Sequence, residues 1–78
     1  MSKNLKYIKI KELPIRFGQF LKLVNLVQDG IEAKMRIQAG EFLVNGVVET
    51  RRGKKLNLGD TVNLDTVIYK ISHSDHQG

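Results

Sequence analysis

The residues best suited to chemistry lie in one run, Arg51-Arg52-Gly53-Lys54-Lys55, which holds four of the thirteen Lys and Arg residues. Guanidinium and ammonium groups at that density attract phosphates, and Gly53 lets the backbone approach a ligand closely. The same run also reads as a solvated basic loop with no partner. Other reactive groups are sparse. There is no cysteine, which excludes disulfides, Cys-bound zinc and thiol catalysis. The two histidines, His73 and His76, sit in a polar, Gly-ended segment that offers no frame for a metal, so neither metal nor cofactor is expected. A Ser-His-Asp set would have to come from Ser72, His73, Ser74 and Asp75 in that same segment. The eight carboxylates form no catalytic pair in sequence; Asp29 and Glu32 suit a helix cap, and Asp60 and Asp65 suit turns. No P-loop, dinucleotide or H-E-x-x-H motif is present. These features argue against an enzyme.

A phosphate site needs a rigid frame, and the flanking sequence supplies one. Asn45-Gly46 between Phe42–Val44 and Val47–Val48 predicts a two-residue hairpin, because both central residues accept positive φ. Upstream, Ile8 and Ile10 alternate with Lys9 and Lys11, which predicts a strand over 6–11. Lys6, Lys9 and Lys11 are better explained as protection of a sheet edge than as ligand contacts. After Pro14, the apolar residues Phe17, Phe20, Leu21 and Val24 recur at helical spacing and predict a helix over 15–25. Gly18 weakens its first turn, and Gln19 and Lys22 point away from the apolar face. Asp29 with Glu32 three residues on caps a second helix over 30–39, closed by Gly40. Alternation of Ile31, Ala33, Met35 and Ile37 admits a strand there, but the cap and the helix-forming composition outweigh it. Lys34 and Arg36 lie on different sides of that helix, so at most one faces the ligand of the basic loop. Leu56 with Leu58, then 61–64, then 67–71 complete a set of short antiparallel strands separated by Gly59-Asp60 and Asp65-Thr66 turns. The order is that of an α+β domain.

At 78 residues the chain is one domain, 1–78, with a flexible tail over 73–78. A hydrophobic content of 41% against 27% charged residues is that of a folded protein. The net charge of +5 is large for so small a surface and favours a polyanion. An anionic membrane is the rival, but both predicted helices turn their apolar faces inward, and no apolar run is long enough to span a bilayer. The absence of cysteine and of a signal-peptide pattern after Met1 fits a cytoplasmic protein.

Asp29-Gly30-Ile31-Glu32-Ala33-Lys34, then Ile37-Gln38-Ala39-Gly40, Val44-Asn45-Gly46 and Gly59-Asp60 together resemble the S4 RNA-binding domain over residues 17–65. The runs Gly18-Gln19-Phe20-Leu21-Lys22-Leu23 and Arg51-Arg52-Gly53-Lys54-Lys55-Leu56 are similar to the small stand-alone bacterial S4 proteins of the YaaA and YbcJ type. The resemblance implies the αL motif, two helices packed on a small antiparallel sheet, and binding of structured RNA, commonly ribosomal or transfer RNA. It points to ribosomal RNA, with a role in ribosome assembly and a ribosomal particle as partner. Asp29 and Gly30 stand where most S4 domains carry Ser and Arg, so the phosphate-contacting Arg of that position is missing. On this reading Arg51, Arg52, Lys54 and Lys55 neutralise phosphates, with Lys22 and Lys34 as the next candidates. Phe17, Phe20 and Phe42 sit on apolar faces and belong to the core, which leaves little stacking surface for bare single strands.

Two other classes remain open on sequence. An adaptor that binds an acidic protein partner would show saturable binding that RNA does not displace. A duplex-DNA binder would be competed as well by duplex DNA as by RNA.

Overall fold

A computed structural model describes residues 4–73. In chain order the elements are β1 (Asn4–Ile10), β2 (Ile15–Arg16), α1 (Phe17–Leu23), α2 (Gly30–Gln38), β3 (Leu43–Val44), β4 (Val47–Val48), β5 (Lys55–Leu56), β6 (Thr61–Leu64) and β7 (Val67–His73). A five-stranded sheet runs β1-β7-β6-β3-β4, and β2 pairs with β5 in a separate two-stranded ribbon. All pairs are antiparallel except β1 with β7, which run parallel with Ile8 opposite Ile71. This parallel pair departs from the all-antiparallel expectation. A parallel pair cannot be joined by a tight hairpin, and here nearly the whole domain is its connection. β1 is nonetheless an edge strand, as its lysines suggest.

The core lies between the two helices and the inner faces of the strands. Phe17, Phe20, Leu21, Ala33, Ile37, Phe42, Leu56, Val62 and Ile71 are buried. Phe17 and Phe42 meet edge to face with ring centroids 5.9 Å apart, the geometry their quadrupoles favour. All three phenylalanines are therefore committed to packing.

Local chemistry sets the helix ends. α1 is shorter than the 15–25 predicted. Ile15 and Arg16 are drawn into the pairing with Leu56 and Lys55, so the helix starts at Phe17. It stops where Asn25 takes φ 64° and the amides of Asn25 and Leu26 bond back to the carbonyls of Lys22 and Leu21. That is a Schellman end with Asn in the left-handed position. α2 begins as expected. The Asp29 carboxylate accepts from the Glu32 amide at 2.8 Å, and the Glu32 carboxylate accepts from the Gln28 amide at 2.8 Å. Asn45 (φ 52°) and Gly46 (φ 84°) form the mirror-image turn between β3 and β4. β7 extends two residues past the predicted end and closes on His73. His76 and the rest of the expected tail lie outside the described residues.

The two turns most visible in the sequence are joined to each other. The Asn45 side chain donates to the Asp60 carboxylate at 3.1 Å and accepts from the Thr61 amide at 3.0 Å. Asp60 also accepts from the Asn57 amide at 2.7 Å. One cross-linked unit therefore holds the hairpin against the Gly59-Asp60 turn.

Candidate functional site

The basic loop is fixed to the start of α1. The Phe17 amide donates to the Lys54 carbonyl at 2.8 Å, and the Gly18 amide donates to the Arg52 carbonyl at 3.0 Å. These bonds satisfy two amides that a helix start otherwise leaves without partners. They also lay the Arg52 stem against Gly18: a Cβ added to Gly18 would sit 2.7 Å from Arg52 Cγ and 3.3 Å from Cδ. Gly18 is thus the residue that lets Arg52 cross the helix.

Beside this joint is a groove of about 300 Å³. Arg16, Lys22 and Arg52 line it together with Gln19, Gly30 and Gly53, and no carboxylate does. α1 supplies Lys22 on its exposed side, β2 supplies Arg16, the loop supplies Arg52, and α2 supplies the open backbone at Gly30. A Cβ added to Gly30 would meet nothing within 4 Å, so the groove is open at the start of α2. Among the described residues, the ion pairs involve only Arg36 and Arg51 as cations. The positive groups of the groove are therefore uncompensated, which favours an anion with spaced charges.

The six residues singled out from sequence are not equivalent. Arg52 and Lys22 line the groove. Arg51 turns back onto Glu49, to which it donates from Nε at 2.9 Å and from a terminal guanidinium nitrogen at 3.1 Å. Its own backbone amide adds a third bond at 3.0 Å. The Arg51 guanidinium holds the Glu49 carboxyl down to about 2, and Glu49 in turn raises Arg51 above its ordinary value. Lys54 is half-buried, Lys55 pairs with Arg16 across the β2–β5 ribbon, and Lys34 is exposed on α2; none of these three lines the groove. Arg36 is engaged elsewhere. It bonds Glu41 at 2.7 Å and the Leu26 carbonyl at 2.7 Å, and lies 5.2 Å from the Phe42 ring centroid.

Arg16 and Gln19 are groove residues that the sequence reading did not single out. Arg16 lies one residue before the helix, 36 positions from Arg52, and the β2–β5 pairing, with the Phe17 and Gly18 amide bonds to the loop, brings the two segments together.

Two short helices packed beside a small, mostly antiparallel sheet, with a cationic groove at their joint, form an S4-type αL fold. Residues 8–72 match the S4 domain family, and the chain belongs to that family. It is 43% identical over 58 residues to the probable ribosome maturation protein RlbA of Bacillus subtilis (strain 168), which covers 74% of this chain and 82% of that one. It is also similar to the solution structure of YbcJ from E. coli, described as revealing an αL motif involved in RNA-binding. That match has a TM-score of 0.60 and 26% identity, and covers 92% of this chain and 90% of the other. Among the described residues no helix is long and apolar enough to cross a membrane.

Proposed function

We propose that this chain is a single, non-catalytic RNA-binding domain that works in the cytoplasm on structured ribosomal RNA during ribosome maturation. One observation carries the reading: a concave surface with three uncompensated cations and no carboxylate, built on backbone held by hydrogen bonds. Such a surface suits a polyanion whose phosphates are fixed in space. Membership of the S4 family, the αL motif of YbcJ and the ribosome maturation role named for RlbA support it.

In this mechanism Arg52 and Arg16 grip phosphate oxygens with planar guanidinium groups, and Lys22 adds a point charge. Gln19 is placed to hydrogen-bond ribose or phosphate. Gly30 and Gly53 carry no side chain in the way, so the RNA backbone can come close. Arg51, Lys54, Lys55 and Lys34 add to the positive field without gripping the RNA in the groove.

The test is a salt titration of affinity for a structured ribosomal RNA hairpin, with circular dichroism as a folding control. Each contact removed should shrink the slope of log K against log salt by roughly 0.7–0.9. Arg16→Ala, Lys22→Ala and Arg52→Ala should each do this; Lys34→Ala should not. Wild-type affinity and slope in all three groove variants would refute the groove. Equal competition by duplex DNA would refute RNA as the ligand. Crosslinking in cells with sequencing of the attached RNA identifies the transcript, and a set without ribosomal RNA would refute the ribosomal assignment.

A further inference from the structure

A second groove, of about 510 Å³, lies directly beside the first. The two share Arg16 and Gln19 as a common wall. The second groove has a different character. Ile10, Ile15 and Leu23 give it an apolar lining, and Lys9 and Lys11 stand on it with Arg16. Glu12 is its one carboxylate, so three cations face one anion. Neither Lys9 nor Lys11 takes part in an ion pair among the described residues. Leu23 is 55% exposed although it ends a helix whose other large apolar side chains, Phe17, Phe20 and Leu21, are buried.

We infer that this second groove binds unpaired nucleotides that continue from the RNA held in the first groove. This rests on the RNA reading of the first groove. A duplex stacks its bases inside and offers a protein only sugars, phosphates and groove edges, so an apolar lining has little to give it. An unpaired nucleotide offers a base face to Leu23 and Ile15 and a phosphate to Lys9 and Lys11. The shared wall makes the two sites continuous, so an RNA seated in the first groove delivers its flanking strand to the second at high effective concentration. The lysines at the end of β1 then do more than guard an edge: Lys9, with Lys11 just beyond the strand, recognises a helix-to-single-strand junction.

The experiment uses three RNA probes with the whole chain: a blunt hairpin, the same hairpin with a short unpaired extension, and one lengthened by the same number of nucleotides as paired stem. For the wild type, the unpaired extension should raise affinity and steepen the salt slope by roughly 1.4, for two single-strand phosphates at about 0.7 each. Across a fourfold rise in salt that is a loss about sevenfold larger than for the blunt probe. The paired extension should add neither. Lys9→Gln with Lys11→Gln should abolish the gain and leave blunt-hairpin binding unchanged. Leu23→Ser should reduce the gain without changing the slope. The inference is overturned if the unpaired extension adds nothing, if the paired extension adds as much, or if the lysine variant keeps the gain or weakens the blunt probe equally. In each of these cases blunt-hairpin binding that depends on Arg52 leaves the first-groove reading standing. If the wild type binds none of the probes, both readings fall together.

Discussion

Gly18→Ala separates the position of a cation from the stability of the fold. Its new Cβ would lie 2.7 Å from Arg52 Cγ, closer than carbon atoms tolerate, but 3.6 Å from the Arg52 carbonyl oxygen, an ordinary contact. The side-chain stem must therefore rotate away while the loop backbone stays. The Gly18 amide should keep its 3.0 Å bond to that carbonyl. Alanine is a better helix former than glycine by about 0.5–1 kcal/mol. An off-rotamer Arg52 costs about 0.5–1.5 kcal/mol if it cannot find another well. The two nearly cancel, so the thermal midpoint should move by no more than a few degrees. Binding should change much more clearly. Losing one phosphate contact removes roughly 0.7–0.9 from the salt slope, about threefold in affinity over a fourfold change in salt. Fluorescence anisotropy of a labelled hairpin at several salt concentrations reads this directly. Gly18→Ala added to Arg52→Ala should weaken binding no further, because both act on one guanidinium. Additive losses, or a wild-type slope in a folded Gly18→Ala protein, would show that Gly18 does not position Arg52.

Substitutions at three other positions test separate links. Gly30→Arg should fit, since nothing lies within 4 Å of the added Cβ, and should add a cation to the groove; a salt slope steeper by roughly 0.7–0.9 is expected, and an unchanged slope would place that position off the RNA path. Asp29→Ala should cost about 0.5–2 kcal/mol in urea unfolding and Asp29→Asn much less, because Asn keeps an acceptor for the Glu32 amide; equal losses would mean that the charge, not the cap, matters. Arg51→Ala should return the Glu49 carboxyl from about 2 toward its ordinary 4.5, as read by NMR titration. A carboxyl lowered by folding adds stability above its unfolded value and loses it as pH falls through the folded one, so the wild type should lose this contribution between pH 4.5 and about 2 and the variant should not show that loss.

Much of the frame was legible because it depends on neighbours in the chain. Asp29 with Glu32 announced a helix start, and Asn45-Gly46 announced a turn; both signals act over four residues or fewer. The sequence did not reveal that Asn45 also reaches Asp60 and Thr61, since that bond links turns fifteen and sixteen positions apart. The site was less legible for the same reason. Arg51 and Arg52 are identical in type and adjacent, yet one is held by Glu49 and the other lines the groove. Glu49 and Arg51 are two residues apart, which puts their side chains on one side of extended backbone, whereas Arg52 enters the turn closed by the Lys54 amide on the Arg51 carbonyl. That spacing was the available signal. Nothing local marked Arg16, whose place depends on the β2–β5 pairing.

The bond between β1 and β7 also orders events as the chain is made. Asn4 finds its partner only at Val67, so the strand that leaves the ribosome early cannot be completed until nearly all of the domain has followed. At about 5–20 residues per second, β1 waits roughly 3–13 seconds with its hydrogen-bonding edges open. Such a strand can join another nascent chain on the same message. Lys6 and Lys9 within it, and Lys11 just beyond, repel a second copy of themselves during that interval. Replacing them with apolar β-formers would leave the finished sheet intact on paper while lowering the yield of chains that reach it.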